Sequence, residues 1–153
     1  MGELKAGSKA PAFTGRDQDG KEIKLSDFSG RKLVLYFYPK DNTSGCTAEA
    51  CDLRDNYNDL TGKGFAVVGV SPDSEKSHKG FINKYSLPFP LIADTDQKIM
   101  NAYGVWGEKK MYGRSYMGVI RTTFIIDGKG VIEKIIDKVD TKAHSDQIFK
   151  LYT

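Results

Sequence analysis

The chain has 153 residues, 39% hydrophobic and 28% charged, which suits one soluble domain with a sizeable core. Its 23 basic and 20 acidic residues leave a net charge of only +3, which excludes the concentrated basic footprint of a nucleic-acid or membrane-surface binder. No stretch approaches the ~20 apolar residues of a bilayer span, and the start from Met1 to Gly7 carries neither an export signal nor a myristoylation pattern, so a cytoplasmic protein is expected.

A weak hairpin opens the chain, with residues 12–16 and 22–25 flanking Asp19-Gly20. Residues 33–38 and 65–70 are short apolar runs, β-branched or aromatic and closed by Pro39 and Pro72, and both read as buried strands. Between them, residues 46–60 carry helix formers with apolar residues three and four apart. A second helix is predicted over 74–84, with capping residues at 71–73, then a short strand over 89–93 and a helix over 97–103. The Gly-rich stretch 104–118 holds Trp106, Tyr112 and Tyr116 and reads as a loop whose aromatics pack on the core. Residues 121–126 and 131–136 flank Asp127-Gly128-Lys129-Gly130, a strong hairpin signal, and a helix over 141–152 closes the chain. This order implies an α/β fold with a mixed central β-sheet and helices on both faces. A thioredoxin-like sandwich with an N-terminal β-hairpin extension, one domain over residues 1–153, fits it. A flavodoxin-like doubly wound sheet fits less well, because the second hairpin breaks strict alternation.

Cys46 and Cys51 are the only cysteines. The first falls where the turn after a strand opens into a helix, so its sulfur faces unpaired N–H groups and the positive end of the helix dipole, which favours a thiolate. On the helix, Ala50, Leu53, Tyr57 and Leu60 form the apolar stripe. At about 100° per residue Cys46 falls near the centre of that stripe and Cys51 roughly 140° away, toward solvent. Their Cα atoms should stand roughly 8.7 Å apart, whereas a disulfide needs about 4.4–6.8 Å. The two thiols can bridge only if the first turn or two unwinds, which Thr43, Ser44 and Gly45 permit.

His78 and His144 sit among polar residues and read as solvated; together with the cysteines they match no usual zinc spacing, so neither metal nor cofactor is expected. The Asn42-Thr43-Ser44 glycosylation triplet is read as accidental. On the residues alone, redox use of both thiols competes with an inert core cysteine and with an interaction protein presenting the aromatics of 104–118.

Pro39-x-x-x-Thr43-x-x-Cys46 resembles the peroxiredoxin active-site signature, and the run from Tyr38 to Asp55 is similar to the bacterioferritin-comigratory-protein (peroxiredoxin Q) branch, of atypical 2-Cys type. Residues 9–13, 68–71 and 121–127 extend the resemblance over nearly the whole chain. It implies a thiol-dependent peroxidase for hydrogen peroxide and organic hydroperoxides. Cys46 would be the peroxidatic cysteine, oxidised to a sulfenic acid. Cys51 would be the resolving cysteine that forms an intramolecular disulfide, recycled by thioredoxin or a similar dithiol. The resemblance also places the Thr43 hydroxyl and the Gly45 and Cys46 N–H groups on the peroxide, Arg121 on the thiolate, Pro39 over the sulfur, and Glu49 behind Arg121. A thioredoxin-like protein disulfide oxidoreductase is the alternative, although its thiols normally lie in Cys-x-x-Cys. A monomer, or at most a weak dimer, binding neither nucleic acid nor membrane is expected. One departure is Ser44, where many members of the branch carry proline; serine constrains the loop less, so easier local unfolding is expected.

Overall fold

A computed structural model describes residues 4–152, apart from the side chain of Met111. Residues 1–3, on which part of the export-signal reading rests, and residue 153 lie outside the described residues.

Five strands form the central sheet in the order β5-β4-β3-β8-β9. They are β3 (Lys32–Phe37), β4 (Phe65–Ser71), β5 (Leu91–Ala93), β8 (Thr122–Ile126) and β9 (Ile132–Ile136). The pairs β3·β4 and β4·β5 are parallel, while β3·β8 and β8·β9 are antiparallel, so the sheet is mixed, as the element order predicts. Strand β3 shows why these residues make a central strand. Leu33, Leu35 and Phe37 point into one core, while Val34, Tyr36 and the following Tyr38 point into the other, the period of two that a doubly covered strand requires. Each such side chain, fully removed from water, contributes on the order of 1.5–3 kcal/mol.

The helices divide unequally between the faces. Helices α1 (Ser44–Asp55), α2 (Tyr57–Gly62), α3 (Glu75–Tyr85) and α5 (His144–Lys150) contribute Leu53, Leu60, Phe81 and Ile148 to the core on the Tyr36 side. Helix α4 (Lys98–Ala102), the hairpin of β1 (Thr14–Arg16) and β2 (Glu22–Lys24), and a 3-10 turn over Leu25–Phe28 cover the Phe37 side. Consecutive right-handed crossovers in one direction across a sheet place their helices on the same face.

Two sequence expectations change. The helix expected over 46–60 starts earlier, at Ser44, and is divided at Asn56, whose side-chain amide donates to the Asp52 carbonyl at 2.9 Å. Local bonding of this kind competes with the helical ladder. The stretch read as loop is instead a hairpin of β6 (Trp106–Met111) and β7 (Arg114–Val119), closed through Tyr112 and Gly113, both at positive φ (52° and 77°). Most of β7 is exposed, so the strand carries little of the apolar alternation that marks a half-buried one. Trp106 does pack against the core, but Tyr112 is 97% exposed, contrary to the packing expected of it.

Candidate active site

The strand register assembles the site. Phe37 at the end of β3 pairs with Thr122 at the start of β8. Residue 121 therefore lies beside the loop that leaves β3, although it is remote in sequence. That loop, residues 38–43, leads into α1, with Thr43 at the N-cap in an extended conformation (φ −96°, ψ 160°). The first helical bond runs from Thr47 N–H to the Thr43 carbonyl at 2.8 Å, so the N–H groups of Ser44, Gly45 and Cys46 precede the helical ladder and point out of its end.

Cys46 is the third residue of α1 and only 1% exposed. Arg121 Nη2 lies 3.2 Å from its sulfur, and Nη1 lies 2.6 Å from Glu49 Oε1, so a single guanidinium bridges thiol and carboxylate. Glu49 is one turn along α1 from Cys46, which brings both to the face that Arg121 meets. A Cβ at Gly45 would stand 3.4 Å from Arg121 Nη2, an ordinary contact, so the guanidinium packs directly over the first turn of α1. Burial pushes the Glu49 carboxyl up to about 7, against the pull of Arg121. Burial lowers Arg121, but the neighbouring Glu49 and Cys46 outweigh it and its pKa is raised.

The remaining expected residues are placed differently. Cys51 is half-buried further along α1, and both thiols are free, as the helical separation requires. Thr43 is exposed, and its hydroxyl donates to the Lys40 carbonyl at 2.8 Å rather than capping α1. That bond engages the hydroxyl proton and leaves the oxygen as an acceptor. Pro39 is half-buried at the exit of β3.

Both histidines, expected at the surface, are fully buried. His78 Nδ1 lies 2.7 Å from Asp41 Oδ2 and Nε2 lies 2.9 Å from the Ile92 carbonyl. Asp41 also accepts from the Tyr38 hydroxyl at 2.6 Å and the Ser77 hydroxyl at 2.8 Å, while its N–H donates to Asp73 at 2.8 Å. These bonds pin the loop between β3 and α1 to α3. Asp41, Asp73 and His78 are the grouping with metal-ligand proximity among the described residues, but both Asp41 carboxylate oxygens and both His78 nitrogens are engaged in the bonds just described. The spacing His78, Phe81, Tyr85 on α3 was the missed signal, because it places the histidine on the buried stripe. His144 lies at the start of α5, with Nε2 2.8 Å from the Thr123 hydroxyl and Nδ1 2.8 Å from Gln147 Oε1. Burial lowers its pKa, so the charged form is disfavoured. No local sequence pattern announces this contact, which depends on α5 docking beside β8.

Three comparisons with known proteins bear on this geometry. Residues 6–135 match the model of the AhpC/TSA family. The "Putative peroxiredoxin bcp" of Coxiella burnetii is 44% identical over 145 residues, covering 95% of this chain and 96% of that protein. "Peroxiredoxin Bcp" of Escherichia coli K12 is 43% identical over 148 residues, with 97% and 95% covered. Among solved structures, Xanthomonas campestris Peroxiredoxin Q superposes with a TM-score of 0.88 at 35% identity, covering 95% of each chain. A second Xanthomonas campestris structure, of a bacterioferritin comigratory protein studied for alkyl peroxide reduction, gives 0.88 at 34% identity with 96% of each chain covered.

Proposed function

The chain belongs to the AhpC/TSA family, as a Bcp-type peroxiredoxin and so a thiol-dependent peroxidase, and from that premise we propose that Cys46 is its peroxide-reacting residue and Cys51 its resolving one. The observation that carries the reading is Arg121, which touches the Cys46 sulfur and Glu49 at once, beside the open N–H groups of α1.

In the first step the Cys46 thiolate attacks the terminal oxygen of ROOH. An S–O bond forms, the O–O bond breaks, and RO⁻ leaves to take up a proton. Negative charge moves from sulfur onto the leaving oxygen, so fixed donors around both lower the barrier. Arg121 supplies positive charge, the Gly45 and Cys46 N–H groups supply donors, and Thr43 offers lone pairs to the peroxide O–H. Pro39 keeps water from the sulfur and contributes no donor. Next, α1 opens locally and the Cys51 thiolate attacks the sulfenic sulfur; the S–S bond forms, the S–O bond breaks, and the hydroxide expelled takes up a proton to become water. Thioredoxin, or a dithiol of similar kind, reduces that disulfide by exchange. Hydrogen peroxide and organic hydroperoxides are the substrates, and the reducing cytoplasm is the setting in which both thiols are regenerated. Both cysteines lie on one chain, so a monomer, or at most a weak dimer, suffices. Among the described residues no helix is long and apolar enough to cross a membrane.

Peroxide consumption coupled to a thioredoxin system tests this. Cys46→Ser is expected to be inactive, and Cys51→Ser to react once and then stall until an external thiol is added. Full turnover by Cys46→Ser would overturn the assignment.

A further inference from the structure

Two acids share one cation behind Cys46. Arg121 meets the Cys46 sulfur through Nη2 at 3.2 Å and Glu49 Oε1 through Nη1 at 2.6 Å. Glu49 is fully buried, and its other oxygen, Oε2, has no hydrogen-bond partner among the described residues. It faces His144 Nε2 at 3.6 Å, outside hydrogen-bond range.

The hydrogen-bond pattern fixes the tautomer of that histidine. Gln147 donates through Nε2 to the Lys138 carbonyl at 2.9 Å, and its Oε1 accepts from Asp140 N–H at 2.8 Å. His144 Nδ1, 2.8 Å from the same Oε1, must therefore carry a hydrogen. Nε2 is then free to accept the Thr123 hydroxyl at 2.8 Å. The imidazole is satisfied while neutral, and burial disfavours charging it. Glu49 Oε2 thus faces a ring nitrogen whose one lone pair already accepts the Thr123 hydroxyl, so the neutral imidazole neither donates to a carboxylate there nor offsets its charge.

Among the described residues, Arg121 is the one cation acting on this pair. The titratable groups around the pair are Cys46 and Asp52 on α1, Tyr36 on β3, Arg121 ahead of β8 and Asp140 ahead of α5. With Cys46 and Glu49 both ionised, two buried negative charges would share one guanidinium, a costly arrangement. A proton on Glu49 restores neutrality and leaves the charge of Arg121 to the sulfur. Burial holds the Glu49 carboxyl at about 7, so such a proton is exchangeable near neutral pH.

We infer that Glu49, backed by neutral His144, is a proton store for the peroxide reaction, protonated while Cys46 is a thiolate and deprotonated once that charge is discharged. This rests on the reading of Cys46 as the reacting thiolate. The balance of that step is S⁻ + ROOH + H⁺ → SOH + ROH. The hydroperoxide's own proton stays on the sulfenic oxygen, and the leaving RO⁻ needs one more. When the sulfur becomes neutral, Glu49 loses a like charge nearby and its proton is released. The chain thereby offsets part of the demand made by the leaving oxygen.

The test counts protons. In a Cys51→Ser background, which halts at the sulfenic acid, one equivalent of hydrogen peroxide is added in weak buffer with a pH indicator. Thiolate loss is followed by its ultraviolet absorbance. Without a store, one proton is taken up per thiolate discharged. With the store, uptake near pH 7 falls short by about half a proton, and Glu49→Gln restores it to one. The parent also serves without that variant, because the shortfall should be confined to pH values where Glu49 is protonated beside the thiolate and should fade at strongly alkaline pH, where it is ionised in both states. An uptake of one proton per thiolate at every pH in the parent overturns the inference and leaves the peroxidase reading standing. No thiolate loss with peroxide overturns the Cys46 reading itself, and this inference with it.

Discussion

Replacing Asp52 with Ala should speed disulfide formation. Asp52 lies one residue beyond Cys51, and its carboxylate accepts the Ser145 N–H at 2.7 Å, while the Ser145 hydroxyl donates to the Asp52 carbonyl at 3.3 Å. These bonds tie α1 to the first turn of α5, whose N–H groups lack helical partners. A hydrogen bond to a charged group contributes about 1.5–3 kcal/mol. Taking about 2 kcal/mol, and about 1.4 kcal/mol per tenfold, the open form of α1 should rise by roughly 30-fold at most. If the proposed Cys46–Cys51 disulfide forms only from that open form, its rate should rise in proportion, on the order of 10- to 30-fold. The peroxide step, which needs α1 folded, should change little. Acid-quenched mass analysis after one equivalent of peroxide separates the two steps, and thermal unfolding should show a Tm lower by about 4–8 °C. A lower Tm with an unchanged rate of disulfide formation would refute the reasoning, since the bond would then survive in the open state.

Ser44 is the first residue of α1 and exposed, a position where proline is pre-organised and its missing N–H costs nothing. Ser44→Pro should stabilise the chain by about 0.4–1 kcal/mol and increase hydrogen-exchange protection of α1; unchanged protection would show that this position does not govern opening. Asp41→Ala would leave His78, Tyr38 and Ser77 without their shared acceptor in a buried place, costing about 3–5 kcal/mol in urea unfolding; a loss below about 1 kcal/mol would show that the loop is not anchored there. The raised Glu49 means that, between about 4.5 and 7, the folded chain keeps a proton the unfolded chain has lost. Stability should therefore fall as pH rises through that window. Urea unfolding at both ends should show this loss in the parent relative to Glu49→Gln, and parallel pH profiles would count against a buried, protonated carboxyl.

Local information explains what was legible. The runs at residues 33–38 and 65–70 are too apolar and β-branched for anything but covered strands, and Asp127-Gly128-Lys129-Gly130 dictates a reversal at positive φ, with Gly130 at 82°. The hairpin of β6 and β7 escaped because its turn, Tyr112-Gly113, lacks the usual Asn or Asp and its second strand is largely solvated. The histidines escaped because their sequence neighbours are polar, while the groups that bury and engage them, Asp41 and Ile92 for His78 and Thr123 for His144, come from distant segments.

By itself the sequence determined the sheet's constituents, the place of Cys46 at a helix start, and the separation that keeps Cys51 from it while α1 is wound. These follow from periodicity, turn chemistry and helix geometry, which act over a few residues. The family resemblance implied Arg121 on the thiolate with Glu49 behind it, but only the tertiary structure decided that one guanidinium touches both at once, that His78 and Asp41 pin the loop ahead of α1, and that His144 closes the buried side of Glu49. Each of those contacts joins residues distant in the chain through the antiparallel register of β3 and β8 or the docking of a helix. Their energetics depend on the exclusion of water from a shared interior, which no local stretch of sequence can create alone.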